Sequence, residues 1–235
     1  MMDRKLEWLT ERPIAHRGLH DGRTRMENSL SAFEAAVEHG YAIECDVHPT
    51  SDGGVAVFHD NTLDRLTEAQ GLTRERTMSE LNGLQLAGTS DTIPSLEGML
   101  KLVDGRVPIV LELKGFGPRQ DGLVTAVAHA LYGYSGNAAI MSFDQSLVRA
   151  FATDAPTIPC GLTAQGTTLE EMQRHETIAD GVNFLSYAVN DLPNPFVDEF
   201  RASGRPVITW TVRTPDEIER TRRHADQMTF EEFLP

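Results

Sequence analysis

The sequence predicts an α/β protein of the TIM (β/α)8 barrel class. Three observations lead there: apolar runs of strand length recur along the chain, segments with helical spacing separate them, and the 235 residues come close to the ~250 that such a barrel takes. A chain of this length buries roughly 70–75% of its unfolded surface, enough for one large core. A single barrel domain over 1–235 is therefore the economical reading. The doubly wound open sheet is the alternative, but no Gly-x-Gly-x-x-Gly turn follows any strand-like run, which removes its usual ligand-binding signature.

The elements follow in order. Pro13-Ile14-Ala15-His16 reads as the first strand, and 28–39 as a helix whose Leu30, Phe33, Ala36 and Val37 lie at helical spacing. The second strand is 41–47. The turn Thr50-Ser51-Asp52-Gly53-Gly54-Val55 is too short for a parallel crossover, so 55–59 returns antiparallel as a hairpin arm. If Thr50 pairs with Val55, His59 comes to lie opposite Asp46. The stretch 60–92 lacks a long strand pattern and reads as a small insertion above the barrel, with a short helix near 78–84. Strands resume at 107–113, 138–143, 157–162, 182–187, 206–212 and 226–230. Helices fill the intervals at 96–103, 120–131, 145–153, 169–175, 195–203 and 215–223.

Composition narrows the function. Lys and Arg number 21 against 35 Asp and Glu, a formal charge of −14, and nucleic-acid binding draws its affinity from basic surface. Nucleic acid is thus excluded as a partner, and so is a polybasic membrane anchor. No stretch approaches the ~18 apolar residues of a membrane span, and the first residues lack the apolar core of a secretory signal. A cytoplasmic location is the default expectation. The two cysteines, Cys45 and Cys160, sit inside apolar runs and are expected to be buried packing residues, neither disulfide partners nor thiolate ligands.

Barrel enzymes carry their working residues at the C-terminal ends of the strands, and polar residues collect there. His16-Arg17-Gly18 ends the first strand, Glu44-Cys45-Asp46 lies late in the second, Glu112-Leu113-Lys114 ends the third and Trp210 lies near the end of the seventh. Residues two apart in a strand share a face. Glu44 projects with Asp46, and Glu112 with Lys114. Three carboxylates without cysteine suit a hard divalent cation, Mg²⁺ or Ca²⁺, and leave coordination positions open for substrate oxygens. His16 and His59 can supply the base and the acid that phosphodiester cleavage requires. Arg17 can grip phosphate oxygens bidentately, and Lys114 adds a point charge.

These residues resemble the glycerophosphodiester phosphodiesterase family. The resemblance runs through His16-Arg17-Gly18, Glu27-Asn28-Ser29, Glu44-x-Asp46, Thr50-x-Asp52-Gly53, His59-Asp60 with Leu63-Asp64-Arg65, Ile93-Pro94-Ser95-Leu96-Glu97, Glu112-x-Lys114, Ser142-Phe143-Asp144 and Trp210-Thr211-Val212. It implies metal-dependent hydrolysis of a small-molecule glycerophosphodiester to sn-glycerol 3-phosphate and an alcohol. His16 and His59 match the family's acid/base pair, Glu44, Asp46 and Glu112 its metal ligands, and Arg17 and Lys114 its phosphate contacts. Trp210 is carried as a substrate-binding residue on its strand-end position and the same match. The expected route passes through a cyclic glycerol phosphate.

The sequence departs from the family pattern in three places. Met26 stands where Pro is usual, Arg213 where Asn commonly follows Trp-Thr-Val, and Asp226-Gln227-Met228-Thr229-Phe230-Glu231 replaces a final strand that usually reads Asp-Gly-Ile followed by Thr-Asp. The eighth-strand loop is therefore expected to shape the alcohol pocket. Other residues carry weaker expectations. His20 is expected in a surface loop, with a place at the pocket as the alternative. His48 shares the face of Asp46 and is expected near Val57, either at the site or as a paired strand residue. His39, His129, His175 and His224 are expected to face solvent, and Asn183 and Tyr187 to line the rim. The competing functions are a phospholipase D-like enzyme acting on lysophospholipids, which would need an apolar acyl groove, and a silent barrel that binds phosphorylated ligands.

Overall fold

In the computed structural model, residues 4–115 and 122–235 are described. In chain order the elements are β1 (Ile14–Ala15), α1 (Leu30–Glu38), β2 (Ala42–Pro49), β3 (Val55–Val57), α2 (Met78–Asn82), α3 (Leu96–Val103), β4 (Ile109–Leu113), α4 (Leu123–Tyr132) and β5 (Ala138–Ser142). They continue with α5 (Gln145–Asp154), β6 (Cys160–Ala164), α6 (Leu169–Ala179), β7 (Phe184–Ala188), α7 (Pro195–Ala202), β8 (Val207–Val212), α8 (Pro215–His224) and β9 (Gln227–Phe230). Around the sheet the order is β1, β9, β8, β7, β6, β5, β4, β2, and β1 also pairs with β2. Every pairing in that ring is parallel. Eight strands thus close a TIM barrel, and β3 rides on β2 as the antiparallel arm.

Local chemistry sets the boundaries. Six barrel helices begin at a side-chain cap, from Ser29, Ser95, Asp144, Thr168, Asn194 and Thr214, each satisfying a backbone N–H that the first turn leaves free. α7 and α8 also carry Pro at the first turn, where its missing N–H costs nothing. Strand β6 starts three residues later than the sequence suggests, at Cys160, because the preceding Pro159 has no N–H to place in the ladder. Helix α6 runs on to Ala179, burying Ile178 beyond the predicted end at 175. Residues 120 and 121 of the helix expected from 120 lie outside the described residues; α4 begins at Leu123.

Alternation along the strands divides the core in two. Ile43, Cys45 and Val47 join Phe33, Leu111, Leu113 and many helix residues in the layer between sheet and helices. The lumen is filled by Ile14, Ala42, Val110, Ala139, Met141, Phe184 and Ile208, with Leu9 beneath them. Both cysteines are buried and free, as expected. The insertion packs its Leu63, Leu66, Leu81 and Leu86 against Met26, Ala56, Phe58 and Ile93 in a third cluster, which ties it to the β3 arm. Among the described residues no helix is long and apolar enough to cross a membrane.

Phe184 stops the lumen, and Gly161 on the next strand gives it room. A Cβ at 161 would lie 2.4 Å from the Phe184 ring, closer than carbon atoms pack. Gly161→Ala is therefore expected to destabilise the fold by about 1–3 kcal/mol, the usual cost of overpacking a core. Urea unfolding measures this, and an unchanged midpoint would mean that Phe184 can move aside freely.

The hairpin register differs from the expected one. Pro49 pairs with Val55, His48 with Ala56 and Val47 with Val57, so Phe58, not His59, follows opposite Asp46, and its N–H donates to the Asp46 carbonyl. The loop holds five residues, Thr50 to Gly54, one more than the turn assumed above. The Asp52 carboxylate explains the extra residue, accepting from the Thr50 hydroxyl and from the Met78 N–H of α2. Asn183 and Tyr187 also depart from expectation, since neither lines the rim. Asn183 sits at the start of β7, where its side chain accepts from the Cys160 N–H. Tyr187 points outward among His175 and Phe196, which leaves His175 half-buried against aromatic rings.

Candidate active site

The carboxylates meet at the C-terminal mouth of the barrel. Asp46 and Glu112 are register partners on β2 and β4, and Glu44 lies one alternation below Asp46 on the same face. One oxygen from each of Glu44, Asp46 and Glu112 lies within 4.8 Å of the others, and all three residues are buried. Lys114, just past β4, sets its ammonium 2.7 Å from Asp46 and also against Glu112. Arg17 approaches Asp46 at 3.4 Å and pairs with Glu27 at 2.7 Å.

Two left-handed residues make this convergence. Arg17 has φ 56° and Asn28 has φ 57°, a conformation uncommon outside glycine. The Arg17 backbone N–H donates to Glu44, 3.0 Å away. Gly18 follows at φ 80°, where a Cβ would press on Phe33 and Ala32; only glycine tolerates both. Asn28 donates its amide to Asp46 at 2.8 Å and accepts the Asp46 N–H at 3.2 Å. Asn28 was a motif residue in the sequence without an assigned task, and the structure makes it a fastener of Asp46.

Each histidine at the mouth is backed by a carboxylate. His59 lies at the end of the hairpin arm with Nδ1 2.7 Å from Asp60, and Arg65 of the insertion clasps Asp60 while also pairing with Glu27. His16 has Nδ1 2.5 Å from Glu231, just after β9, and its Nε2 lies 3.9 Å from Glu44. Arg213, just after β8, holds the other oxygen of Glu231 at 2.6 Å. His20 comes within 3.7 Å of Glu231, so the loop that carries it places it beside the site. His48 is buried opposite Ala56, not Val57, with Nε2 3.0 Å from the His59 carbonyl. Sequence reasoning missed Glu231; its signal was the departure at the last strand, together with the one at Arg213.

Trp210 lies at the rim on β8. Its indole N–H donates to the Ser186 carbonyl at 3.3 Å, and the half-exposed Phe143 meets it edge-on with ring centroids 5.3 Å apart. The indole N–H is thus engaged, and the rings are what the pair can offer a ligand.

Burial and charge set the protonation states. Burial pushes the Glu44 carboxyl well up, and the neighbouring Asp46 and Glu112 add to it. Burial also raises Glu112, against the pull of Lys114. Asp46 resists its own burial, because Lys114 and Arg17 hold it well below the usual carboxylate range. Burial lowers both His16 and His59, and lowers His48 to about 4. Burial alone would raise Glu231, but the His16 hydrogen bond, the neighbouring His20 and Arg213 hold it far down, ionised at neutral pH. Three crowded carboxylates of oxygen-only donor character, two of them raised by burial and by the charge of Asp46, form a set that a hard divalent cation would complete.

With three carboxylates, two cations and two carboxylate-backed histidines at its mouth, this parallel barrel carries the kinds of group that a hydrolase of phosphate diesters uses. Residues 16–225 match the glycerophosphoryl diester phosphodiesterase family, and the chain belongs to that family. It is 30% identical to YhdW of Bacillus subtilis over 85% of each chain. It is 28% identical to the glycerophosphodiester phosphodiesterase of Caldanaerobacter subterraneus over 88% of each chain. Among solved structures, a phosphodiesterase of Oleispira antarctica in complex with the product sn-glycerol-3-phosphate superposes with a TM-score of 0.84 at 22% identity, covering 95% of this chain and 93% of the other. At that identity the likeness speaks for the fold alone.

Proposed function

We propose that this chain cleaves glycerophosphodiesters to sn-glycerol 3-phosphate and an alcohol, with His16 and His59 as the acid/base pair and Glu44, Asp46 and Glu112 as ligands of a divalent cation. The observation that carries this reading is that both histidines hold Nδ1 on a carboxylate, Glu231 and Asp60, which leaves Nε2 of each for proton transfer at the acidic cluster.

The bound cation, Mg²⁺ or Ca²⁺, would supply Lewis-acid polarisation of a phosphate oxygen and would neutralise the carboxylates. The protein's own groups account for the rest. Arg17 and Lys114 bring positive charge to a cluster that would otherwise repel an anionic ester. One histidine takes the proton from the glycerol hydroxyl adjoining the phosphate ester. That oxygen forms a bond to phosphorus as the bond to the alcohol breaks, and the other histidine protonates the departing alcohol. With the histidine roles reversed, water opens the resulting cyclic phosphate. The Trp210 and Phe143 rings border the space where the alcohol leaves.

The test is incubation with glycerophosphocholine, glycerophosphoethanolamine and glycerophosphoglycerol, each with Mg²⁺, Ca²⁺ or a chelator, measuring glycerol 3-phosphate. Release from at least one diester in the presence of a cation is the expected result, and no product under any condition would reject the function. Diesters lacking the adjoining hydroxyl should not turn over; full turnover of them would overturn the cyclic route.

A further inference from the structure

The mouth builds one arrangement twice. His59 rests on Asp60, which Arg65 clasps, and His16 rests on Glu231, which Arg213 clasps. The first set lies within a few residues of sequence. The second spans the barrel seam, its carboxylate standing just after β9 and its arginine just after β8.

The two oxygens of Glu231 divide their work. Oε2 faces His16 Nδ1, while Oε1 takes Arg213 Nε at 2.6 Å and a second Arg213 nitrogen. Both ends of the clamp are fixed. The Glu231 N–H donates to the Val212 carbonyl at 3.1 Å, and the Arg213 N–H donates to Glu217, the residue that closes the capping box of α8. Glu231 is 12% exposed at its side chain, so the bond to His16 is shielded from competing water. An ionised carboxylate only accepts, so Nδ1 must carry the proton, and Nε2 is left facing Glu44.

We infer that Glu231, clamped by Arg213, is a positioning residue that fixes His16 in the Nδ1–H tautomer with Nε2 turned to the reacting phosphate. This rests on the function proposed above only for its kinetic part. An imidazole in the wrong tautomer keeps its place and loses its use, the effect that a carboxylate behind a catalytic histidine prevents.

The experiment pairs kinetics with ¹⁵N NMR of histidine-labelled protein, the His16 signals being assigned by comparison with His16→Gln. In the wild type His16 should show one N–H nitrogen, Nδ1, and one unprotonated nitrogen, Nε2. Glu231→Ala should average the two signals and lower kcat about 100-fold with KM changed less than about threefold. Glu231→Gln, which keeps an acceptor oxygen, should recover part of that loss. Arg213→Met should lower kcat by roughly 3–10-fold and add nothing in the Glu231→Ala background, as expected for residues acting as one unit. Unaltered His16 signals in Glu231→Ala, or a loss confined to KM, would overturn the inference. If Glu231→Ala does not fold, Arg213→Met carries the same spectroscopic test. A wild type inert toward every diester would remove the functional reading, and the tautomer measurement would still decide this one.

Discussion

His59→Ala is expected to lower glycerophosphodiester turnover by about 10²–10⁴-fold, the usual worth of a positioned acid or base, without unfolding the protein. The side chain is 34% exposed at the end of the hairpin arm, so its loss empties little buried space. Its removal also spares its neighbours, because Arg65 binds Asp60 and Glu27 through contacts of its own. Steady-state release of glycerol 3-phosphate and a thermal unfolding curve, measured on the same preparation, separate the two effects. A variant that folds and turns over at the wild-type rate would remove His59 from the mechanism.

The second large effect concerns the carboxylates. Asp46 is where the cluster's fastenings converge, since Lys114, Arg17 and Asn28 all reach it and Glu112 stands beside it in the sheet. Lewis-acid stabilisation of a phosphoryl transition state is worth several kcal/mol, and each 1.4 kcal/mol is tenfold in rate. Asp46→Ala should therefore cost about 10³-fold or more in turnover. Calorimetric titration with Mg²⁺ or Ca²⁺ should lose its binding signal in the same variant. Chelation of the wild type should reproduce the kinetic loss, with recovery on adding excess cation. Turnover indifferent to chelator, together with no cation binding by the wild type, would sink the assignment of Glu44, Asp46 and Glu112.

Most of the barrel and much of its mouth could be read in advance, and the successes share a cause. The period of two in a strand ties Glu44 to Asp46 and Glu112 to Lys114 whatever the neighbouring strands do, and helical spacing gave α3 its observed ends. The misses arose where position depends on something outside the element. One loop residue, accommodated by Asp52, moved the hairpin register and took His59 from its expected place opposite Asp46. The parity of β7 follows from Phe184 turning into the lumen, which sends Tyr187 outward. Asn28 reaches Asp46 only through a left-handed backbone. Glu231 meets His16 across 215 positions of chain, a contact that closure of the barrel creates and no local pattern announces.

The strand β1 is only two residues long and gives two register pairs to each neighbour, so the ring is thinnest where its last strand meets its first. At that same place His16 bonds to Glu231 on one side and the Arg17 N–H bonds to Glu44 on the other. The groups proposed for chemistry are thus also the latches of the closure. Whatever draws the mouth together would in turn tighten the ring at its thinnest seam.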